Sequence, residues 1–235
     1  MKRSKEGQMS TDQTEAGEVS AETIDPAALD PAELSRLAEE LDAATLERLL
    51  GGLDGEALGA LVRAAGPETA KRLLRKVGPA AFDLASIDPD TVDPEVFDTE
   101  LMALLFKLTP DDRLAEAMAG PLRDVVVAEV FRRMPERLDR RAAAGLDAAI
   151  AWRIRRPDGG YDRYLVRVAD GSCSVEPDGE GDARVSLQMD SLTFCKLVTG
   201  NANPVMQFMT GKLSVRGDLM FAASVTRLFD IPSPG

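Results

Sequence analysis

The spacing of apolar positions divides the chain into stretches of different character. Residues 1–24 offer only Met9, Val19 and Ile24 as sizeable apolar side chains in a run rich in Ser, Thr, Glu, Gln and Gly. So little can be buried there that a disordered tail is expected. From Leu29 a twelve-residue spacing sets in, with Leu29-Asp30, Leu41-Asp42 and Leu53-Asp54 each followed by two further leucines: Leu34 and Leu37, Leu46 and Leu49, Leu58 and Leu61. Each unit reads as a short helix with Asp as its N-cap and the preceding Leu packed back as a hydrophobic staple. Pro31 and Glu33 complete a capping box in the first unit, and Gly51-Gly52 interrupts the second. Helices of two or three turns are unstable alone, so the units must stack on one another or on a partner. A further helix is predicted from Pro67 to Val77, then an Asp/Pro-rich stretch around Asp88-Pro89-Asp90 and Asp93-Pro94, then a helix over 95–108.

Past Pro121 a helix is predicted over 122–134, with Arg132 and Arg133 in its last turn, where cations favour the dipole. The period then changes to two. Ile150, Trp152 and Ile154 share one strand face; Tyr164, Val166 and Val168 share another; Cys173 and Val175, then Val185, Leu187 and Met189, continue the alternation. Asp158-Gly159-Gly160, Asp170-Gly171 and Gly179-Glu180-Gly181 read as hairpin turns. Strands with one wet and one dry face require an antiparallel sheet with helices on a single side. Asp190 then caps a helix holding Leu192, Phe194, Leu197 and Val198; Asn203-Pro204 opens a short helix through Met209; 212–216 is a strand; and Gly217-Asp218 turns into a final helix over 219–229.

Composition narrows the chemistry. The chain has 235 residues and no histidine, which removes imidazole bases, imidazole metal ligands and His-assisted nucleophiles. Its two cysteines, Cys173 and Cys195, form no C-x-x-C pair, so no disulfide framework or structural zinc is expected and a reduced, cytoplasmic setting is the simplest inference. No apolar run approaches a membrane span, and the basic start Met1-Lys2-Arg3-Ser4-Lys5 lacks the apolar stretch of a secretory signal. The net charge of −12 is unevenly spread: residues 25–120 hold nine Lys/Arg against twenty Asp/Glu, whereas residues 121–235 hold sixteen against fifteen. That asymmetry predicts two modules, an acidic all-helical array over 25–120 and an independent unit over 121–235. It also disfavours nucleic acid, because phosphate contacts need clustered cations. Frequent Ala, Arg, Asp and Leu beside scarce Lys and Asn suggest a GC-rich bacterial source.

The run Gly200-Asn201-Ala202-Asn203-Pro204 and, after the short helix, Gly211-Lys212-Leu213-Ser214-Val215-Arg216-Gly217-Asp218 resembles the G-x-x-N-P and G-K-L-x-V-x-G-D signature of the sterol carrier protein-2 family. The order of strand, helix, short helix, strand and helix agrees with it over about 121–232. The resemblance implies an α+β fold: a mixed, largely antiparallel five-stranded sheet with helices on one face enclosing an apolar tunnel, here preceded by an all-α array of short helices. The chain ends Ser233-Pro234-Gly235, so the peroxisomal Ser-Lys-Leu address found in part of the family is not expected.

The implied function is non-enzymatic binding or transfer of a lipid (fatty acyl, sterol-like or another hydrophobic small molecule), with no cofactor and no metal. Candidate tunnel residues are Trp152, Phe194, Leu197, Val205, Met206, Phe208, Met209, Leu219, Met220, Ala223 and Leu228. Methionines such as Met206, Met209 and Met220 suit an adaptable apolar surface. A stripe of this kind is equally the mark of an ordinary core. The alternative is therefore an interaction or scaffold protein with a carrier-like fold packed shut, and in either case the acidic helical array is available to a protein partner. An enzyme would rest only on carboxylates such as Asp88, Asp90 and Asp93, which read as cap and turn residues.

Overall fold

The computed structural model describes residues 36, 39–50, 55–78, 84–85, 87–91 and 99–232. The expected tail over 1–24, the first leucine unit and the Leu53-Asp54 pair lie outside the described residues. In the second unit Asp42 caps α1 (Ala43–Leu50), its carboxylate accepting a hydrogen bond of 2.8 Å from the Thr45 backbone N–H. Leu46 and Leu50 are buried. The next segment, α2 (Gly55–Val77), is two helices joined at Gly66, whose φ of 72° and ψ of 161° break the helix just before Pro67. A single 3-10 turn covers Pro89–Thr91.

The helix expected over 95–108 is described as α3 (Thr99–Leu108). It is followed by α4 (Asp111–Ala117), which the hydrophobic pattern did not announce, although Pro110 at its N-cap and Asp111 and Asp112 in its first turn are start signals. Next comes α5 (Leu122–Arg133), then a 3-10 turn over Met134–Arg137.

Five strands follow: β1 (Asp147–Arg155), β2 (Tyr161–Ala169), β3 (Ser172–Pro177), β4 (Val185–Asp190) and β5 (Ser214–Gly217). They form one sheet in the order β3-β2-β1-β4-β5, antiparallel throughout except for the parallel β1–β4 pair at its centre. The fold is thus mixed α/β with a mostly antiparallel five-stranded sheet. Asp158-Gly159-Gly160 and Asp170-Gly171 turn hairpins as expected, with left-handed φ of 52° and 69° at Asp170 and Gly171 matching the twist of the flanking strands. Gly179-Glu180-Gly181 does not. It lies between β3 and β4, which are not neighbours, so it belongs to a connection that crosses the wet face of the sheet over buried Leu165.

After β4, Asp190 caps α6 (Ser191–Val198), accepting from the Thr193 N–H at 2.7 Å, and Asn203 caps α7 (Pro204–Met209). The strand expected from 212 begins two residues later, because the N–H groups of Lys212 and Leu213 both donate to the Gln207 carbonyl and tie those residues to α7. At Gly217 φ is 97°, and a Cβ would stand 2.5 Å from the Arg184 carbonyl oxygen, so only glycine fits. The last helix, α8 (Leu219–Val225), is shorter than the expected 219–229. After a 3-10 turn Phe229 becomes extended and bridges Leu138, while Asp139 N–H donates to the Leu228 carbonyl and Asp230 N–H to the Arg137 carbonyl.

The dry face of the sheet and the helices share one buried cluster that runs without interruption from α1 through α3, α4 and α5 to α8. The wet face carries exposed Arg153, Arg155, Arg163, Arg167 and Arg216.

Candidate functional site

The strand register fixes the floor of the site. Tyr164 pairs with Trp152, Trp152 with Leu187, and Leu187 with Val215, so one row crosses β2, β1, β4 and β5 on the dry face. Above Trp152, Leu187 and Val215 lies a cavity of about 270 Å³. Met189, Leu213 and Leu197 extend its floor and side; Val205 and Phe208 of α7 and Leu219, Ala222, Ala223 and Val225 of α8 form a second wall. Val130 of α5 and Met134 close the third side, and Thr99 and Met102 of α3 reach in from upstream. Helix α3 belongs to the segment expected to be a separate array, so its place in this wall was not foreseen.

Beneath the cavity the aromatic rings lock the floor. Phe131 stacks on Tyr164 at 3.7 Å between centroids and on Phe194 at 4.9 Å, while Trp152 meets Phe131 and Phe194 edge-on at 5.9 and 5.6 Å. At one end the lining turns polar: Glu129, Arg133, Arg137, Thr226 and Asp230. Glu129 accepts hydrogen bonds from Arg132 at 2.6 and 2.7 Å and from Arg133. Burial alone would raise its pKa, but these arginine hydrogen bonds and charges prevail and hold its carboxyl below the usual range. Arg137 and Asp230 face each other at 3.7 Å. The charges at this end thus answer one another.

Of the candidate tunnel residues, Trp152, Leu197, Val205, Phe208, Leu219 and Ala223 line the cavity. The others lie elsewhere. Phe194 and Leu228 are buried in the core away from the cavity, Phe194 because it stacks under Phe131. Met206, Met209 and Met220 are exposed and outside the lining, on helix faces adjoining those that turn inward. Residues outside the candidate set complete the walls. Leu187 is one of the alternating strand positions expected on the dry face, and the register makes it floor together with Val215 of the expected last strand, to which no face was assigned; Met102 carried no signal, since it lies far outside the signature.

Burial pushes the Cys173 thiol up to about 11 and the Cys195 thiol up to about 12, so both are neutral at physiological pH. Among the described residues no helix is long and apolar enough to cross a membrane. What the arrangement can do is enclose an apolar body.

Comparison with known proteins agrees with the signature. The model of the SCP-2 sterol transfer family matches residues 127–230. The chain is 27% identical over 109 residues to hydroxysteroid dehydrogenase-like protein 2 of Bos taurus, covering 46% of this chain and 26% of that protein. It is 42% identical over 83 residues to a fatty acid-binding protein of Yarrowia lipolytica, covering 34% of this chain and 63% of that protein. Sterol carrier protein 2 from Yarrowia lipolytica in its apo form superposes with a TM-score of 0.37 at 25% identity, over 45% of this chain and 88% of that one. The chain therefore spans only 26% of the dehydrogenase-like relative. The family match and the glycine- and asparagine-marked run inside it converge: the C-terminal half of this chain is a domain of the SCP-2 sterol transfer family.

Proposed function

We propose that the C-terminal domain binds a single acyl chain or similarly slender apolar ligand in the cavity and carries it without chemical change, the cavity being the inner part of a tunnel that opens between α7 and α8. The observation that carries this reading is a wall built almost wholly of apolar side chains from the sheet floor and α7 and α8, with polar groups gathered at one end. A volume near 270 Å³ lies just below the usual range of ligand sites, roughly 300–1,000 Å³, and so suits a slender ligand. Burying about ten methylenes at ~0.8 kcal/mol each contributes about 8 kcal/mol, enough for micromolar affinity before the cost of immobilising the chain. A carrier of this kind needs no reactive constellation. The family match and the fatty acid-binding relative support the same reading.

Trp152, Leu197, Val205, Phe208, Leu219 and Ala223 are proposed to touch the ligand, with Leu187 and Val215 beneath it. Trp152 is the chain's one tryptophan and lines the cavity, so its emission reports occupancy. Titrating the full chain with a brominated fatty acid should quench that emission saturably, at one ligand per chain. The substitution Ala222→Phe, which fills the cavity, should abolish the quenching at little cost in thermal stability. A wild type whose Trp152 is never saturably quenched would remove the carrier reading and leave that of an interaction protein with a closed fold.

A further inference from the structure

We propose that the ligand of the cavity is an acyl chain bearing a keto oxygen along its length, and that the indole N–H of Trp152 donates to that oxygen; the inference rests on the carrier reading above. Trp152 stands in the floor of the cavity and is only 7% exposed. Its Nε1 is buried and has no hydrogen-bond partner among the described residues. A buried indole N–H ordinarily finds an acceptor, because without one it forfeits the hydrogen bond that water gave it. The ring cluster supplies no substitute at Phe131, whose two faces are covered by Tyr164 and Phe194. On the floor beside it, Leu187, Met189 and Val215 have no oxygen in their side chains. The space these neighbours leave to the N–H is the cavity itself. A phenylalanine at position 152 would complete the same apolar floor with no donor to satisfy.

Arg137 Nε is a second buried donor of the lining without a partner among the described residues. Its side chain, however, is 33% exposed at the charged end and has Asp230 beside it. Solvent serves that end, whereas the donor in the floor depends on what the cavity holds. The chemistry of the partner follows from donor and acceptor counts. An indole nitrogen donates once and accepts nothing. A hydroxyl would meet it but bring its own proton to a floor without an acceptor, and a carboxylate would bury a charge against one neutral donor. A ketone accepts without donating and carries no charge. A plain alkyl chain fills the same volume and leaves the N–H unpaired, which is how a site that reads a hydrogen bond rejects the analogue lacking it.

The test titrates the full chain by calorimetry with palmitic acid and with the positional series of its monoketo derivatives. One keto isomer should bind the wild type about tenfold more tightly than palmitic acid, the weight of one hydrogen bond to an otherwise unpaired buried donor. Trp152→Phe keeps a ring in the floor and removes the donor, so the preference for that isomer over palmitic acid should vanish. A second readout needs no variant. Trp152 is the chain's one tryptophan, so the wild type gives a single indole N–H resonance, which the preferred isomer should move downfield and palmitic acid should not. This resonance carries the test if the phenylalanine variant does not fold. A wild type that binds palmitic acid and every keto isomer alike overturns the keto ligand and leaves the carrier. One that binds none of them overturns the carrier reading and this inference with it. A preference that survives in Trp152→Phe, or an indole resonance that the preferred isomer leaves in place, gives the oxygen to another group and overturns the role of Trp152.

Discussion

Glu129 stands where the apolar lining of the cavity gives way to charge, its side chain buried and held by Arg132 and Arg133. Because its folded pKa lies below the unfolded one, the stabilisation it supplies is complete above the ordinary carboxylate range and is lost as pH falls through the depressed folded value. Glu129→Gln should therefore lower stability at neutral pH by about 1–3 kcal/mol, the cost of losing the charge and one of the two oxygens that accept from Arg132 and Arg133. That difference should shrink toward zero in acid. Denaturation midpoints at the two pH values check it, and a gap that stays constant would mean that Glu129 acts by packing alone. At this scale the sequence distinguishes poorly between inward and outward. In α7 nearly every residue is apolar, so spacing could not tell Val205 and Phe208, which line the cavity, from Met206 and Met209, which face water. Trp152 was legible because a strand alternates strictly, and its neighbours Ile150 and Ile154 are completely buried.

The elements of the C-terminal half were legible where a local signal governed them. The alternation gave β1 to β4, and Asp190, Asn203 and Asp218 each cap the helix that follows, as their positions imply. Where tertiary contacts govern, the reading missed. The pull of Gln207 on Lys212 and Leu213 delays β5, and the bridge from Leu138 to Phe229 ends α8 early. The parallel β1–β4 pairing entered only through the family resemblance, since alternation carries no strand direction. Helix α7 offers an element-scale test. With no buried residue, it is held by the Asn203 carboxamide, which accepts from the N–H groups of Val205 and Met206 at 2.9 and 3.2 Å, and by the two bonds to Gln207. A lost cap costs roughly 0.5–2 kcal/mol. Asn203→Ala should spend that loss locally: amide exchange should quicken across 205–211 and fatty-acid release should accelerate, while the global unfolding midpoint hardly moves. Unchanged exchange there would show that the cap is redundant.

Over the whole molecule, the charge asymmetry suggested a boundary at residue 121, yet the core does not part there. The Asn201 carboxamide of the signature donates to the Ala103 carbonyl at 2.9 Å, Lys196 pairs with Asp111, and the Ser191 hydroxyl donates to the Met118 carbonyl at 3.4 Å. Leu104, Phe106, Leu114 and Met118 share the buried cluster of the sheet, and Thr99 and Met102 complete the cavity wall. Net charge is a property of surfaces, so it could mark where the acidic helices begin but not which of them turn an apolar side toward the sheet. The working unit we propose begins with α3. A fragment over 99–235 should unfold cooperatively and quench with brominated fatty acid as the full chain does. A fragment over 121–235 loses the wall at Met102 and strips the buried side of α6 of its cover. Its affinity should be about tenfold weaker, the equivalent of roughly 1.4 kcal/mol, and its unfolding midpoint should fall. If the shorter fragment matches the full chain in both measurements, α3 and α4 are an accessory layer and the carrier is complete without them.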